Sequence, residues 1–169
     1  MRRMLRHKAL TIIAAISLTA IPAAGIVATA TPAQAATGVH ICLSSGNGCV
    51  GAPTINFGDK VELTATGRFI VEVPAGFTCC GGHEVFRLQF SADATKCVGV
   101  PDGSLSTTVR ACSGGNNSNV NWAEEPQGDG SIKWFSNTKN GFLSSNDMQG
   151  DQLFVGSNMC NGCFQRWNN

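Results

Sequence analysis

The chain has 169 residues, 14% of them charged, and a formal net charge of +1. This length suits one domain, and the near-neutral charge gives little electrostatic support for binding nucleic acid or an anionic membrane surface. The composition therefore argues against a nucleic-acid-binding protein and favours one small globular domain.

Residues 1–35 predict a secretory signal peptide. The basic start MRRMLRHK precedes an apolar, alanine-rich run, and the segment ends in the small-x-small pattern Ala33-Gln34-Ala35. This order is typical of cleavage after Ala35, although the apolar run is also nearly long enough for an uncleaved membrane anchor. The cleavage pattern favours removal, so we expect a secreted, extracellular protein without stable membrane insertion.

Residues 36–169 then form a single predicted domain. Four of the twelve Lys and Arg residues lie in the leader, so this part holds eight against eleven Asp and Glu, a net charge of −3. A slightly acidic domain has no basic patch, and nucleic acid is not an expected partner.

All eight cysteines belong to this domain, and an even number in an exported chain predicts disulfides. They are Cys42, Cys49, Cys79, Cys80, Cys97, Cys112, Cys160 and Cys163. The alternative is a metal site, because CCGGHE (residues 79–84) and CNGC (residues 160–163) bring ligand-type side chains together. Since exported thiols are usually oxidised, disulfides are favoured, and we expect no metal and no cofactor. A thiol-redox role for CNGC is weaker still, because such motifs usually open a helix.

The strand signals follow one another along the whole domain. Short β-branched or aromatic runs alternate with Gly, Asn, Ser and Asp clusters; the runs are VHICL, KVELTA, RFIVEVP, VFRLQF, TTVRAC, SIKWF, GFLSS and QLFVG. Regular short strands with turn residues between them predict an all-β sandwich or barrel.

Three markers recur in the same order and predict three repeats, at about residues 37–74, 85–128 and 129–169, with an insertion at residues 75–84. The first marker is Cys42, Cys97 or Phe142, the second begins a strand at Lys60, Thr107 or Asp151, and the third is Phe69, Trp122 or Trp167. One copy is too small to bury its own apolar face. We therefore expect three copies to share one core that contains the third-marker aromatics.

These residues resemble the ricin-type β-trefoil family, whose repeat contains Cys-Leu-Asp, a second Cys and a final Gln-x-Trp. The middle copy, KCVGVPDGSLSTTVRACSGGNNSNVNW, matches best, and the third copy supplies Gln165 and Trp167. The first copy keeps Cys42. The resemblance implies an all-β, disulfide-stabilised β-trefoil and a Cys97–Cys112 disulfide.

The resemblance also implies a lectin-like function, with extracellular carbohydrate as the partner and no catalytic residues. In the family, an acidic residue after Cys-Leu accepts hydrogen bonds from sugar hydroxyls, and an aromatic stacks on the sugar ring. Ser44, Gly99 and Ser144 occupy the acidic place here, so we expect degraded sugar sites.

Nearby side chains are the candidate substitutes for the missing acids. The predicted ligand-binding residues are Asp102, Asn146, Asp147, Phe154 and Gln165, with Trp134 as a further aromatic that could stack on a sugar. The family's glutamine is replaced by Gly67 and Val120 in the first two copies. For Gln165 we favour a structural role, in which its amide bridges backbone groups of a turn.

The other cysteines leave several pairings open. Cys42–Cys49 would close a small loop, and Cys160 and Cys163 either pair together or reach residues 79–80. Adjacent cysteines rarely bond to each other, because disulfide geometry requires a larger separation of their Cα atoms. We therefore expect Cys79 and Cys80 to bond to distant partners.

Two other functions are compatible with the residues. A protein-binding or protease-inhibitor-like trefoil would present the insertion PAGFTCCGGHE, residues 74–84, as a stiff loop pinned by disulfides. An enzyme is the weakest hypothesis. Glu124 and Glu125 are adjacent in a predicted strand and would face opposite sides, and His83 beside Glu84 is the only loose constellation.

Overall fold

The computed structural model describes residues 38–115, 118–158 and 164–169. The predicted signal peptide, Cys160 and Cys163 lie outside these ranges. The regular elements are β1 (Cys42–Leu43), β2 (Cys49–Gly51), β3 (Glu62–Thr64), β4 (Ile70–Cys79), β5 (His83–Phe90), β6 (Lys96–Gly99), β7 (Thr108–Ala111), β8 (Asn121–Pro126), β9 (Ile132–Ser136), β10 (Gly141–Ser144), β11 (Phe154–Gly156) and β12 (Trp167–Asn168). Over the described part of the chain, no helix is long and apolar enough to cross a membrane.

The strands form a closed ring and three hairpins. The ring runs β1-β12-β9-β8-β5-β4, and an antiparallel bridge between Val39 and Ile70 brings β4 back to the start of the first repeat. The hairpins are β2–β3, β6–β7 and β10–β11. Closing the ring pairs its strands on both sides, which removes exposed sheet edges. This architecture is the predicted β-trefoil.

The three hairpins meet around a pseudo-threefold axis. Val61 donates its backbone N–H to Thr107, Thr107 to Leu153 and Leu153 to Val61, at 3.2, 2.8 and 2.8 Å. Thr107 lies 46 residues after Val61 and 46 residues before Leu153. The buried Thr107 hydroxyl donates to the Leu153 carbonyl at 2.8 Å and lies 3.3 Å from the Val61 carbonyl. The cycle confirms three imperfect repeats and sets their alignment, which differs slightly from the expected second markers Lys60, Thr107 and Asp151.

The register of the hairpins shows that the first marker of repeat 1 was assigned to the wrong cysteine. The ladder pairs are Cys49 with Thr64, Cys97 with Arg110, and Phe142 with Gly156. Cys49 is thus the equivalent of Cys97, whereas Cys42 lies one strand earlier. The spacing agrees with this, because Cys49 lies 48 residues before Cys97 and Cys42 lies 55 before it, whereas Phe142 follows Cys97 by 45. The acidic place of the first copy therefore belongs to Gly51, not to Ser44.

The third marker is also displaced in the first copy. Phe69 is 54% exposed, and the neighbouring Ile70 is fully buried at the place that Trp122 and Trp167 occupy. Successive side chains of a strand point to opposite faces, so a shift of one residue exchanges core and surface. The expectation that Phe69 is a core residue was wrong. The glutamine place of this copy is consequently Arg68 rather than Gly67.

Three tryptophans dominate the shared core. The indole N–H of Trp122 donates to the Val98 carbonyl at 2.9 Å, and that of Trp167 donates to the Leu143 carbonyl at 3.0 Å. These equal contacts confirm that the two residues are equivalent. Trp134 is fully buried as well, which overturns its assignment as a sugar-stacking aromatic.

The cysteines follow the expectation only in part. Cys42–Cys49 and Cys97–Cys112 are disulfide-bonded as expected. Cys79 and Cys80 are free thiols, contrary to the prediction of distant disulfides. The insertion instead extends the β4–β5 hairpin, whose strands pair up to Cys79 and His83 at the tip. Backbone pairing therefore replaces the expected disulfides in holding this segment.

Candidate functional site

A polar cleft lies beside the second hairpin, and we call it the repeat-2 cleft. Its volume is about 370 Å³, and it is lined by Asp102, Arg110, Ala111, Ser113, Ser118, Asn119 and Val120. Concave sites of this kind are the usual places for small ligands. Hydroxyl, amide, guanidinium and carboxylate groups together suit a ligand that carries many hydroxyl groups.

Close backbone contacts shape the floor of this cleft. The Val100 N–H donates to the Asn119 carbonyl at 3.0 Å, which fixes the segment after β6 against the segment before β8. A Cβ atom at Gly99 would lie only 2.7 Å from the side chain of Val120 and 2.8 Å from that of Arg110. Glycine is thus required there for close packing, not for a special φ angle. Asp102 follows directly at the rim.

Asp102 and Asn119 form the polar pair of the cleft. The Asn119 amide donates to the Asp102 carboxylate at 2.6 Å, and both side chains lie at the surface. A carboxylate has two oxygens with several acceptor positions, and an amide has both donors and an acceptor. One mutual hydrogen bond therefore orients the pair and leaves it able to bind neighbouring hydroxyls of a ligand.

Asp147 is the threefold equivalent of Asp102, but its surroundings differ. The Ser45 hydroxyl donates to one carboxylate oxygen at 2.7 Å, and the Asn47 amide donates to the other. Its own N–H donates to the Ser145 hydroxyl at 2.9 Å. Asp147 thus braces the turn between β1 and β2, and Asn146 is exposed beside it. The structure separates these two predicted ligand residues from Asp102.

Gln165 is buried against the third hairpin. Its amide donates to the Ser144 hydroxyl at 3.1 Å and to the Ser157 carbonyl at 2.7 Å, and Ser144 is fully buried. Phe154 lies on β11 opposite Ser144 and is half-buried. The contacts of Gln165 agree with the structural role favoured from the sequence. The five predicted residues consequently do not form one site.

Asn119 and Arg110 were missed by the sequence reasoning. Asn119 stands in the polar stretch SGGNNSNVNW, where several asparagines look alike. Arg110 lies on β7 and looked like an ordinary exposed strand residue. The repeat alignment could have identified Asn119. This residue directly precedes Val120, which occupies the place of Gln165 in repeat 2.

Two further clefts lie beside the corresponding chain segments of the other repeats, but neither is lined by the residue equivalent to Asp102. One, of about 470 Å³, is lined by Lys133, Phe164 and Arg166 among others. Its cations already have partners: Lys133 donates to Asn158 at 2.8 Å, and Arg166 pairs with Asp129. The other cleft, of about 370 Å³, contains His40 and the exposed Phe69. Neither combines an exposed carboxylate with an amide as the repeat-2 cleft does.

Acidic side chains gather near one end of the ring. Burial raises the pKa of Glu72, and the nearby Glu124 charge raises it further. Burial also raises the pKa of Glu124, with a smaller contribution from Glu84. Within the described ranges, no group of three His, Cys, Asp or Glu side chains is arranged to hold a metal ion.

No protein-family model and no curated protein matches the sequence. Among solved structures, the Haemophilus ducreyi cytolethal distending toxin is similar in fold, with a TM-score of 0.64 and 10% identity over 81% of this chain and 84% of that chain. The designed threefold-symmetric protein ThreeFoil has a TM-score of 0.61 and 16% identity over 76% of this chain and 94% of its own. A mosquitocidal holotoxin has a TM-score of 0.58 and 17% identity, and the match covers 76% of this chain but 16% of that chain. Similarity at these identities establishes the β-trefoil fold alone.

Proposed function

We propose that this protein is a secreted, ricin-type lectin-like β-trefoil that binds extracellular carbohydrate, without catalysis, at the repeat-2 cleft. The observation that carries the proposal is the Asp102–Asn119 pair on an open cleft, with the amide nitrogen 2.6 Å from the carboxylate oxygen. Asp102 accepts hydrogen bonds from sugar hydroxyls, and Asn119 both donates and accepts. Asp102 thereby takes over the role of the acidic residue that Gly99 replaces.

The composition of the cleft supports a neutral polyhydroxyl ligand. Ser113 and Ser118 add hydroxyl groups, and Arg110 adds donors beside the carboxylate. A positive and a negative side chain share the cleft, so a strongly charged ligand would meet repulsion from one of them. The resemblance of the middle copy to the ricin-type repeat supports carbohydrate as that ligand.

A glycan array followed by calorimetric titration tests the proposal. The wild-type protein is expected to bind at least one saccharide, and Asp102→Asn and Asn119→Ala are expected to weaken that binding about tenfold or more, because a charged or paired hydrogen bond is lost. Asp147→Asn is the matched control, since it changes the equivalent aspartate of repeat 3 and should retain binding. An array without any binding at high protein concentration, or equal loss in all three variants, contradicts the proposal.

The insertion hairpin is the weaker candidate site. Its tip carries the exposed Cys80 and the half-buried Cys79 as free thiols, so no disulfide pins it as the inhibitor hypothesis requires. Replacing residues 75–84 by an Asn-Gly turn shortens the hairpin beyond the Pro74–Phe86 pair and separates the two functions. Saccharide binding is expected to survive the replacement, and its loss would favour the hairpin.

A further inference from the structure

Phe57 extends into solvent at the border of the repeat-2 cleft, although it belongs to the β2–β3 loop of repeat 1. Its side chain is 61% exposed. Two further cavities flank it, one of about 250 Å³ shared with Arg110 and Ala111, and one of about 340 Å³ shared with Ala111 and Ser113. The same three residues line the repeat-2 cleft. The cleft therefore continues over β7 as far as the ring of Phe57.

The loop that carries Phe57 is held in place on both sides. Gly58 donates its N–H to the Val109 carbonyl at 2.9 Å, and Val109 donates to the Asp59 carbonyl at 2.8 Å. The Asp59 carboxylate in turn accepts hydrogen bonds from the Thr54 hydroxyl and from the Asn56 N–H. These two contacts lower the pKa of Asp59. An ordered loop loses less conformational entropy when a ligand binds to it.

The ring of Phe57 offers an exposed apolar surface, which the polar cleft lacks. Lys96 lies over the ring with its ammonium nitrogen 5.4 Å from the centroid, and Asp93 holds that ammonium at 3.1 Å. Most of the ring nevertheless faces water, which is unfavourable for a large aromatic. The C–H face of a pyranose ring is a suitable apolar partner. Among the described residues, no aromatic side chain lines the repeat-2 cleft itself, and Phe57 lines the two cavities beside it.

We propose that the repeat-2 cleft and Phe57 form one groove for an oligosaccharide of two or more pyranose units. Asp102 and Asn119 bind hydroxyls of one unit, Arg110 lies beneath the linkage, and Phe57 stacks on a neighbouring unit. The inference rests on the proposed function, which it extends from a single sugar to a chain of sugars. Phe57 comes from a different repeat than the polar residues, so the groove exists only in the assembled trefoil.

The test compares saccharides of increasing length. Purified wild-type protein is titrated by calorimetry with glucose and malto-oligosaccharides, with N-acetylglucosamine and chito-oligosaccharides, and with galactose and lactose. In the series that binds, affinity is expected to rise about tenfold from one unit to three. Phe57→Ala should remove this rise without changing the affinity for one unit, and Phe57→Trp should retain it, because stacking is worth about one factor of ten. Phe69→Ala, which removes an exposed aromatic outside the groove, is the control and should behave as wild type.

The outcomes separate the two proposals. If Asp102→Asn weakens binding but short and long saccharides bind equally well, or Phe57→Ala retains the gain with length, the groove is overturned and the proposed function stands. If no saccharide of any length binds, the proposed function fails and the groove fails with it. A Phe69→Ala variant that loses the gain would place the second unit elsewhere and overturn the groove.

Discussion

Asp102 of repeat 2 and Asp147 of repeat 3 occupy the same place in the trefoil, two residues after Val100 and Ser145. Both of those residues donate a backbone hydrogen bond of 3.0 Å, to the carbonyls of Asn119 and Phe164 respectively. Asp102 then meets the Asn119 amide at the rim of an open cleft, whereas Asp147 is held by two side chains of the first repeat. Equivalent carboxylates thus have different roles in the two repeats because their neighbours differ.

This difference shows how a threefold fold separates its framework from its sites. The framework depends on residues that recur in every copy and are buried around the axis. The sites depend on single side chains of the connecting segments, such as Asn119 in one repeat and the exposed Phe164 in the next. Removing a framework contact should therefore lower the free energy of unfolding by a similar amount in each repeat. Removing a site contact should affect one repeat only.

The largest expected effect tests whether the core tryptophans of repeats 2 and 3 are equivalent. Trp122→Ala and Trp167→Ala should each lower the free energy of unfolding by about 3–5 kcal/mol, because each leaves a large cavity and an unpaired carbonyl. Urea unfolding measures both values. Phe57→Ala, which truncates a mostly exposed ring, is the control and should change stability by less than about 1 kcal/mol. A loss confined to one of the two tryptophans would contradict the equivalence.

The next effect concerns the disulfide of the repeat 2 hairpin, where the repeat 3 hairpin has Phe142 in the place of Cys97. Cys97 is bonded to Cys112, whereas the equivalent Phe142 packs edge-to-face on Phe135 with centroids 5.2 Å apart. Replacing both cysteines by alanine should cost about 3 kcal/mol, as expected for a disulfide that closes a loop of this length. Thermal unfolding with and without reductant measures it. A variant as stable as the wild type would mean that the disulfide does not support this hairpin.

A smaller effect separates the two aspartates directly. Asp147→Ala should lower the free energy of unfolding by about 1 kcal/mol, because the hydrogen bonds from Ser45 and Asn47 are lost. Asp102→Ala should change stability by less than about 0.5 kcal/mol and should lose saccharide binding. Urea unfolding and calorimetric titration of both variants provide the four values. Equal stability losses would mean that the carboxylates have the same structural role.

The smallest effect concerns Glu124 of repeat 2, whose equivalent in repeat 3 is the uncharged Asn169. Because the pKa of Glu124 is raised in the folded protein, this residue favours folding most below its ordinary pKa of 4.5, and that stability is lost as pH rises through the raised value. Glu124→Gln should therefore be more stable than wild type at pH 7, by less than about 1 kcal/mol because the carboxyl group is only half-buried. The difference should disappear near pH 4.

Thermal unfolding at the two pH values measures this change. Glu125→Gln, which removes one negative charge from the neighbouring position of β8, is the control. A Glu124→Gln variant that is less stable than wild type at pH 7 would contradict the sign of the effect.

Much of the framework was predictable from the sequence. Trp122 and Trp167 recur with the repeat, and an aromatic at such a position usually belongs to the shared core. Phe69 was misplaced by one residue because Ile70 beside it is equally apolar, and strand alternation alone does not choose between them. Cys42 was aligned in place of Cys49 for a similar reason, since each is a cysteine followed by an aliphatic residue.

The candidate site was predictable only to the level of Asp102. The partnership with Asn119 depends on a backbone contact between Val100 and Asn119, which lie far apart in sequence. Phe57 lies at the border of the repeat-2 cleft although it belongs to another repeat, because its neighbours Gly58 and Asp59 bond to the backbone of Val109. Such proximity arises from the closed trefoil and leaves no local pattern in the sequence.

The most direct test of this account is a two-dimensional amide NMR titration with the saccharide that binds most tightly on the array. The largest changes in amide chemical shift are expected at Asp102, Arg110 and Asn119. Changes centred instead on Asp147 and Phe164, or no localised changes at saturating saccharide, would contradict this account.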